Sequence, residues 1–303
     1  MTLDQALPGP AGDTVRRRPG RRPNPVPYLL VLPALLLVAG LVGALLVLSL
    51  RSLEGAQGQV PSLAQYARIA TSPHYLDHFT HSAWLAGAAT LAAAVLGYPV
   101  AYYMERVGRP MRRAIMAFLA VVFFSDYVLR MFGLILVLGK TGIVNRLLVW
   151  SGAVDRPLSL MYNDFGVFVG LVSASLPFMI LAINGVLARL DPRLPEAAAL
   201  LGASPPRVFW HVTLPLSVPG IVSGGIIVFL LSLNSFVTPA LLGGGFVEMV
   251  ATFIYEQAIN LFNLPLGAAA AMILFFVSMV LLVGVNGLFD RMGRRFGVRE
   301  EGR

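Results

Sequence analysis

The chain has 303 residues, 57% of them apolar and only 13% charged, with a mean hydropathy of +0.75. Soluble domains carry about 25% charged residues, so this is the composition of an integral membrane protein. The formal net charge of +8 goes with that class, because arginines gather on one side of a bilayer. No basic patch lies on a soluble domain, so the charge does not point to nucleic acid. The absence of cysteine excludes disulfides, thiolate catalysis and cysteine metal sites.

In chain order, residues 1–27 are rich in Pro, Gly and Arg and read as a disordered basic tail. Six apolar segments follow, at about 28–50, 82–104, 114–138, 165–187, 217–242 and 266–289. Each exceeds the ~20 residues needed to cross ~30 Å of hydrocarbon as helix. The first is too long for the apolar region of a signal peptide, which runs about 7–15 residues. Arg51-Ser52-Leu53-Glu54 follows it in place of a small-residue cleavage site. It is therefore expected to be a retained helix. Residues 290–303 form a second basic tail. The expectation is an all-α integral membrane protein with six transmembrane helices over 28–289.

Six spans place both termini on one side. That side collects 17 of the 23 basic residues, including Arg106, Arg109, Arg112, Arg113, Arg189, Arg193 and Arg207, against five on the other. The positive-inside rule makes it the cytoplasmic side. On the outer side, Ile143, Leu147 and Trp150 recur at helical spacing, as in a short helix lying at the interface. Residues 247–262 read similarly. Such helices either cap the bundle or dock an external partner.

Within the spans, Asp126 and Arg130 stand out, because charges at membrane depth are costly. Their i, i+4 spacing puts them on one face of a continuous helix. There they could neutralise each other, orient the helix, contact another subunit or line a path. Span five carries Ser232, Asn234, Ser235 and Thr238, with Asn234 and Thr238 on one face. These suit either helix packing or a path. His74, His78 and His81 share a helical spacing, but three ligands from successive turns of one helix rarely surround one metal ion without a further group. No metal site is expected.

The connection at 188–216 is built differently. In "LDPRLPEAAALLGASPPRVFWHVTLP", Pro195 suits the first helical position and Glu196 the first turn, where a carboxylate opposes the positive helix end. Ala197, Ala198, Ala199, Leu200 and Leu201 are strong helix formers. Gly202 can take the left-handed conformation that ends a helix. Ser204 and Pro205 then start a second short helix, which Pro215 ends. The result is a helix–turn–helix with a small-residue alanine face. Phe209, Trp210 and Val212 form an apolar patch of the kind that marks a protein contact.

The offsets of Glu196-Ala197-Ala198, then Gly202 after three residues, then Val212-x-Leu214-Pro215 after nine more, resemble the EAA loop of ABC importer permeases. Val212 stands where isoleucine is commoner. "LGYPVAYYM" (96–104), "SLPFMILAINGVLARLDPRLPEAA" (175–198) and "NSFVTPALLGGG" (234–245) extend the resemblance to the spermidine/putrescine-type subfamily over most of 28–289. The resemblance implies a type I importer-like fold in a bacterial inner membrane. It implies a polyamine or another small solute brought by an external binding protein, and it favours a second, different permease subunit in contact with it and with lipid. It also implies a cytoplasmic ATPase dimer that binds ATP-Mg and seats the loop through Glu196, Ala197, Ala198, Gly202, Phe209, Trp210, Leu214 and Pro215. The chain itself has no GxxxxGK[ST] phosphate loop and no HExxH or GxSxG motif. It reads as a transport subunit without catalytic residues or a cofactor of its own. A stand-alone secondary transporter or a membrane enzyme would have no use for the loop.

Overall fold

The computed structural model describes residues 26–54 and 61–295. The tail expected at 1–27 lies outside these apart from its last two residues, as does the tail expected at 290–303 from residue 296 onward. All regular secondary structure among the described residues is helical, and six segments are long and apolar enough to cross a membrane. The portion of α1 (Val26–Ser52) up to Val47 is a unit of its own, with apolar side chains exposed on every face from Val31 to Val42.

The second unit starts at Leu48. Its elements are α2 (Ala64–Thr71), α3 (Pro73–Met104), α4 (Arg109–Phe124), α5 (Tyr127–Leu138), α6 (Ile143–Trp150), α7 (Asp164–Leu187) and α8 (Arg193–Leu200). They are followed by α9 (Pro205–Val208), α10 (Leu214–Leu233), α11 (Val237–Leu242), α12 (Val250–Tyr255) and α13 (Leu264–Arg295). Local chemistry sets several starts. Pro73 opens α3 and Pro110 opens α4, where a missing N–H costs nothing. Asn163 caps α7 by accepting from the Gly166 amide at 3.0 Å.

The centre is a three-helix crossing of α3, α7 and α10. Without a hydrophobic driving force in lipid, helices associate through small residues that let backbones approach. Here Ala86, Ala89, Ala93 and Ala101 of α3 are fully buried. A Cβ on Gly220 would sit 3.0 Å from Val186 Cβ and 3.1 Å from Ile183 Cα, and one on Gly224 would sit 2.9 Å from Ala182 Cβ. Gly220→Leu is therefore expected to cost about 1–3 kcal/mol by overpacking, read as a lowered unfolding temperature in detergent. Gly185→Ala, with nothing within 4 Å of its Cβ, should leave that temperature unchanged.

Three expectations change. The span expected at 114–138 is broken at Ser125–Asp126 into α4 and α5. The span expected at 217–242 is broken after Leu233, so that α11 is separate. The expected stop at Pro215 is absent. From Pro205 to Leu233 the chain is one helical run of 29 residues, widened to π geometry at Phe209–Thr213. The Leu214 amide reaches back to the Phe209 carbonyl, and this wider turn leads into a proline that has no N–H to donate. The run therefore continues through it.

At the other end of the bundle, Asn145 is buried and pins the loop after α6, donating to the Gly139 and Leu158 carbonyls at 3.0 Å each. This leaves Ile143, Leu147 and Trp150 facing outward. By contrast, α12 is absorbed into the bundle: its Phe253 is buried with Ile69 and Leu266. Helix α3 begins nine residues before the expected span and α13 runs six beyond its own.

Candidate functional site

The break between α4 and α5 explains both intramembrane charges. The Asp126 carboxylate accepts from the Leu129 amide at 2.8 Å and so caps α5. Arg130 turns the other way. Its Nη2 donates to the Val122 carbonyl at 3.0 Å and to that of Ser125 at 3.5 Å, while Nη1 donates to Ser173 of α7 at 3.4 Å. The last carbonyls of α4 have no partner within their helix; the guanidinium supplies one, and the Ser125 hydroxyl also donates to Val122 at 2.9 Å. Each charge also has the sign that its helix end favours, acidic at the start of α5 and basic at the end of α4. Among the described residues these two side chains form no ion pair with each other, contrary to the reading of one continuous helix. A signal was present in the sequence: Ser-Asp inside an apolar run is an N-cap signature.

The break borders an intramembrane cavity of about 340 Å³. Phe123, Tyr127 and Arg130 line it from one side, Ser175 and Phe178 from α7, and Ser232 and Ser235 from the α10–α11 break. Arg130 is the one charged residue in this lining. Arg130 Nε and the Ser232 hydroxyl are buried without a hydrogen-bond partner. Of the four residues expected on a path, Arg130 alone lines the cavity. Asp126 is exposed beside it. Thr238 is fully buried behind it, bonded to the Tyr127 hydroxyl and 3.9 Å from Met131 Sδ. Asn234 lies on the surface, donating to the Leu230 carbonyl at 2.8 Å and the Ser278 hydroxyl at 3.2 Å. The break after Leu233 puts Asn234 and Thr238 on different faces.

At one end of the bundle stands the 188–216 loop. Helix α8 begins at Arg193, two residues before Pro195, with the Asp191 carboxylate accepting from the Arg193 amide at 2.9 Å. Glu196 is in its first turn. Gly202 has φ +87°, and the Ala203 and Gly202 amides close on the Ala198 and Ala199 carbonyls at 3.1 and 3.0 Å. This is the Schellman geometry that needs a glycine. Ser204 precedes α9, but its hydroxyl makes no capping bond.

Glu196, Ala197, Gly202, Trp210 and Pro215 are exposed, whereas Ala198, Phe209 and Leu214 are half-buried. Phe209 departs most from expectation. It stands edge-on to the rings of Tyr98 and Tyr102 at 5.7 and 5.2 Å, anchoring the loop to α3. The outward apolar residues are Leu200 and Leu201, each 89% exposed, with Trp210 at 62%. Helical periodicity alone did not single out the two leucines. The same end is tied by Glu105, which accepts from Asn184 at 2.7 Å and pairs with Arg112 at 2.9 Å.

The three α3 histidines go separate ways. His78 faces Glu248 at 3.5 Å, His81 faces Asp164 at 3.1 Å, and the His74 ring lies edge-on to that of His78. Among the described residues no three His, Cys, Asp or Glu side chains are grouped to hold a metal ion.

Apolar spans around an intramembrane cavity, bordered by discontinuous helices and joined to a helical loop, are the features of a membrane solute transporter. Residues 89–296 match the family described as "Binding-protein-dependent transport system inner membrane component", and the chain belongs to it. It is 34% identical over 222 residues to the spermidine/putrescine transport system permease protein PotB of Escherichia coli (strain K12), covering 73% of this chain and 80% of that one. The PotB of Haemophilus influenzae is 35% identical over 225 residues, covering 73% of this chain and 78% of that one. In fold it is similar to a chain of a bacterial alginate ABC transporter solved with an alginate pentasaccharide-bound periplasmic protein. The TM-score is 0.68, with 18% identity over 90% of this chain and 95% of that one. The protein is thus a multi-pass inner-membrane permease subunit, a transport component rather than a catalyst.

Proposed function

We propose that the chain forms the translocation path of an ATP-driven importer for a small polyamine such as spermidine or putrescine. An external binding protein delivers the solute, a second and different permease chain completes the path, and a cytoplasmic ATPase dimer seats the 188–216 loop. Both termini are cytoplasmic on this reading, in keeping with the 17 basic residues on that side.

The observation that carries the ATP-driven reading is the loop itself. A glycine-terminated helix presents two almost fully exposed leucines beside an exposed tryptophan, an apolar surface that calls for a protein partner. The likeness to PotB supports the substrate class. The test is uptake into proteoliposomes holding the assembled transporter and its binding protein. Labelled spermidine and putrescine should accumulate only with ATP; no ATP-dependent uptake of either would refute the substrate.

One observation favours a second reading. The cavity presents two unpartnered donors, Arg130 Nε and the Ser232 hydroxyl, which a solute with an acceptor group as well as an amine would satisfy. Uptake of a small amino acid in place of the polyamines, in the same assay, would establish that reading.

A further inference from the structure

At the end of the bundle opposite α8 lies an open pocket of about 690 Å³, lined by Asp77, His78, His81, Trp84, Phe246 and Glu248, among others. We propose that this pocket is a receiving site for protonated organic amines. The inference rests on the importer reading, which places this end outside the cell, and it holds for both solute classes above, since each carries an amine.

Three features define the chemistry. First, the lining has two carboxylates and no lysine or arginine. The Asp77 carboxylate has no ion pair or hydrogen bond among the described residues, and the Glu248 side chain is 51% exposed. Asp164, the further carboxylate nearby, is taken by His81.

Second, His78 is 8% exposed and its Nε2 is buried without a partner. Stacking on Phe253, with centroids 4.7 Å apart, fixes the ring. Its Nδ1 faces the Glu248 carboxylate at 3.5 Å. The free carboxylate oxygens of the lining are acceptors, the complement of an ammonium that only donates.

Third, Trp84 and Phe246 are 72% and 82% exposed. Their ring faces attract cations and cover the methylenes between amine groups. The absence, among the described residues, of a three-ligand metal group favours an organic ammonium over a metal ion. The intramembrane cavity, with Arg130 as its one charged lining residue, offers no such place.

The chain has no cysteine, so a single reporter thiol can be read cleanly. Thr80→Cys puts it on the exposed lining of the pocket, and Ser151→Cys, exposed at the end of α6, is the reference. The assembled transporter is treated with a trimethylammonium-bearing and a sulfonate-bearing methanethiosulfonate, and labelling is followed on this chain. At position 80 the cationic reagent should react at least tenfold faster, beyond any ratio at 151, and spermidine should slow it at least fivefold. Asp77→Asn with Glu248→Gln should abolish both effects. Equal rates for the two reagents, or a preference unmoved by the carboxylate changes, would overturn the site. A transporter that prefers the cationic reagent at 80 but imports no polyamine would refute the substrate reading and leave the site standing.

Discussion

Replacing Leu200 and Leu201 together by aspartate is expected to detach the ATPase from the permease while leaving the bundle folded. Each side chain is 89% exposed, so neither contributes to the chain's own core. Burial of a leucine in an interface is worth about 1.5–3 kcal/mol, and two such losses, roughly 3–6 kcal/mol, correspond to about 10²–10⁴ in affinity. The ATPase should no longer co-purify, and binding-protein-stimulated ATP hydrolysis should fall at least tenfold. Full retention of the ATPase with normal stimulation would eliminate the leucines as contacts. Gly202→Asp is expected to act in the same direction by another route. At φ +87° a non-glycine residue is strained by roughly 1–2 kcal/mol, and the turn that aims α8 is disturbed.

The second large effect is expected at Arg130. Its guanidinium satisfies the Val122 and Ser125 carbonyls at the end of α4 and reaches Ser173 on α7. Hydrogen bonds to charged groups contribute about 1.5–3 kcal/mol each, and no water replaces them in hydrocarbon. Arg130→Met should therefore lower transport at least tenfold and reduce the unfolding temperature. Arg130→Lys should fall between, because one ammonium cannot reproduce a planar fork spanning three carbonyls. Asp126→Asn should be mild, since asparagine caps a helix about as well as aspartate. If Arg130→Met transported normally, the break would have to be held by other means.

Segments of twenty or more apolar residues were legible in the sequence, because length and hydropathy alone identify a span. The ending of α8 was legible too, since Gly202 meets a conformational need that few residues share. Continuity was not. Asp126 and Arg130 fit one helix at i, i+4, and nothing in their spacing says that they serve opposite helix ends. The Asp126 cap was foreshadowed by the Ser125-Asp126 pair, but the reach of Arg130 back to the α4 carbonyls and across to Ser173 was not. Pro215 misled for a related reason. A proline usually ends a helix, but a π turn just before it lets the helix proceed. Phe209 read as a contact residue because an aromatic on a loop looks exposed; Tyr98 and Tyr102, over a hundred residues earlier, cover it.

The unbroken run from Pro205 to Leu233 has a mechanical consequence. At 1.5 Å per residue its 29 residues measure about 44 Å. Trp210 rides near one end, at the surface of the loop, and Ser232 sits at the other, on the cavity wall. Pro219 lies at the midpoint, where the missing N–H removes one rung of the ladder. If the run tilts as one rod, its pivot falls in the middle. A tilt of about 10° about Pro219 swings each end by roughly 4 Å in opposite directions, more than the width of a water molecule. In such a tilt, a push on the loop and a change in the shape of the cavity would be two ends of one displacement, with no further relay between them.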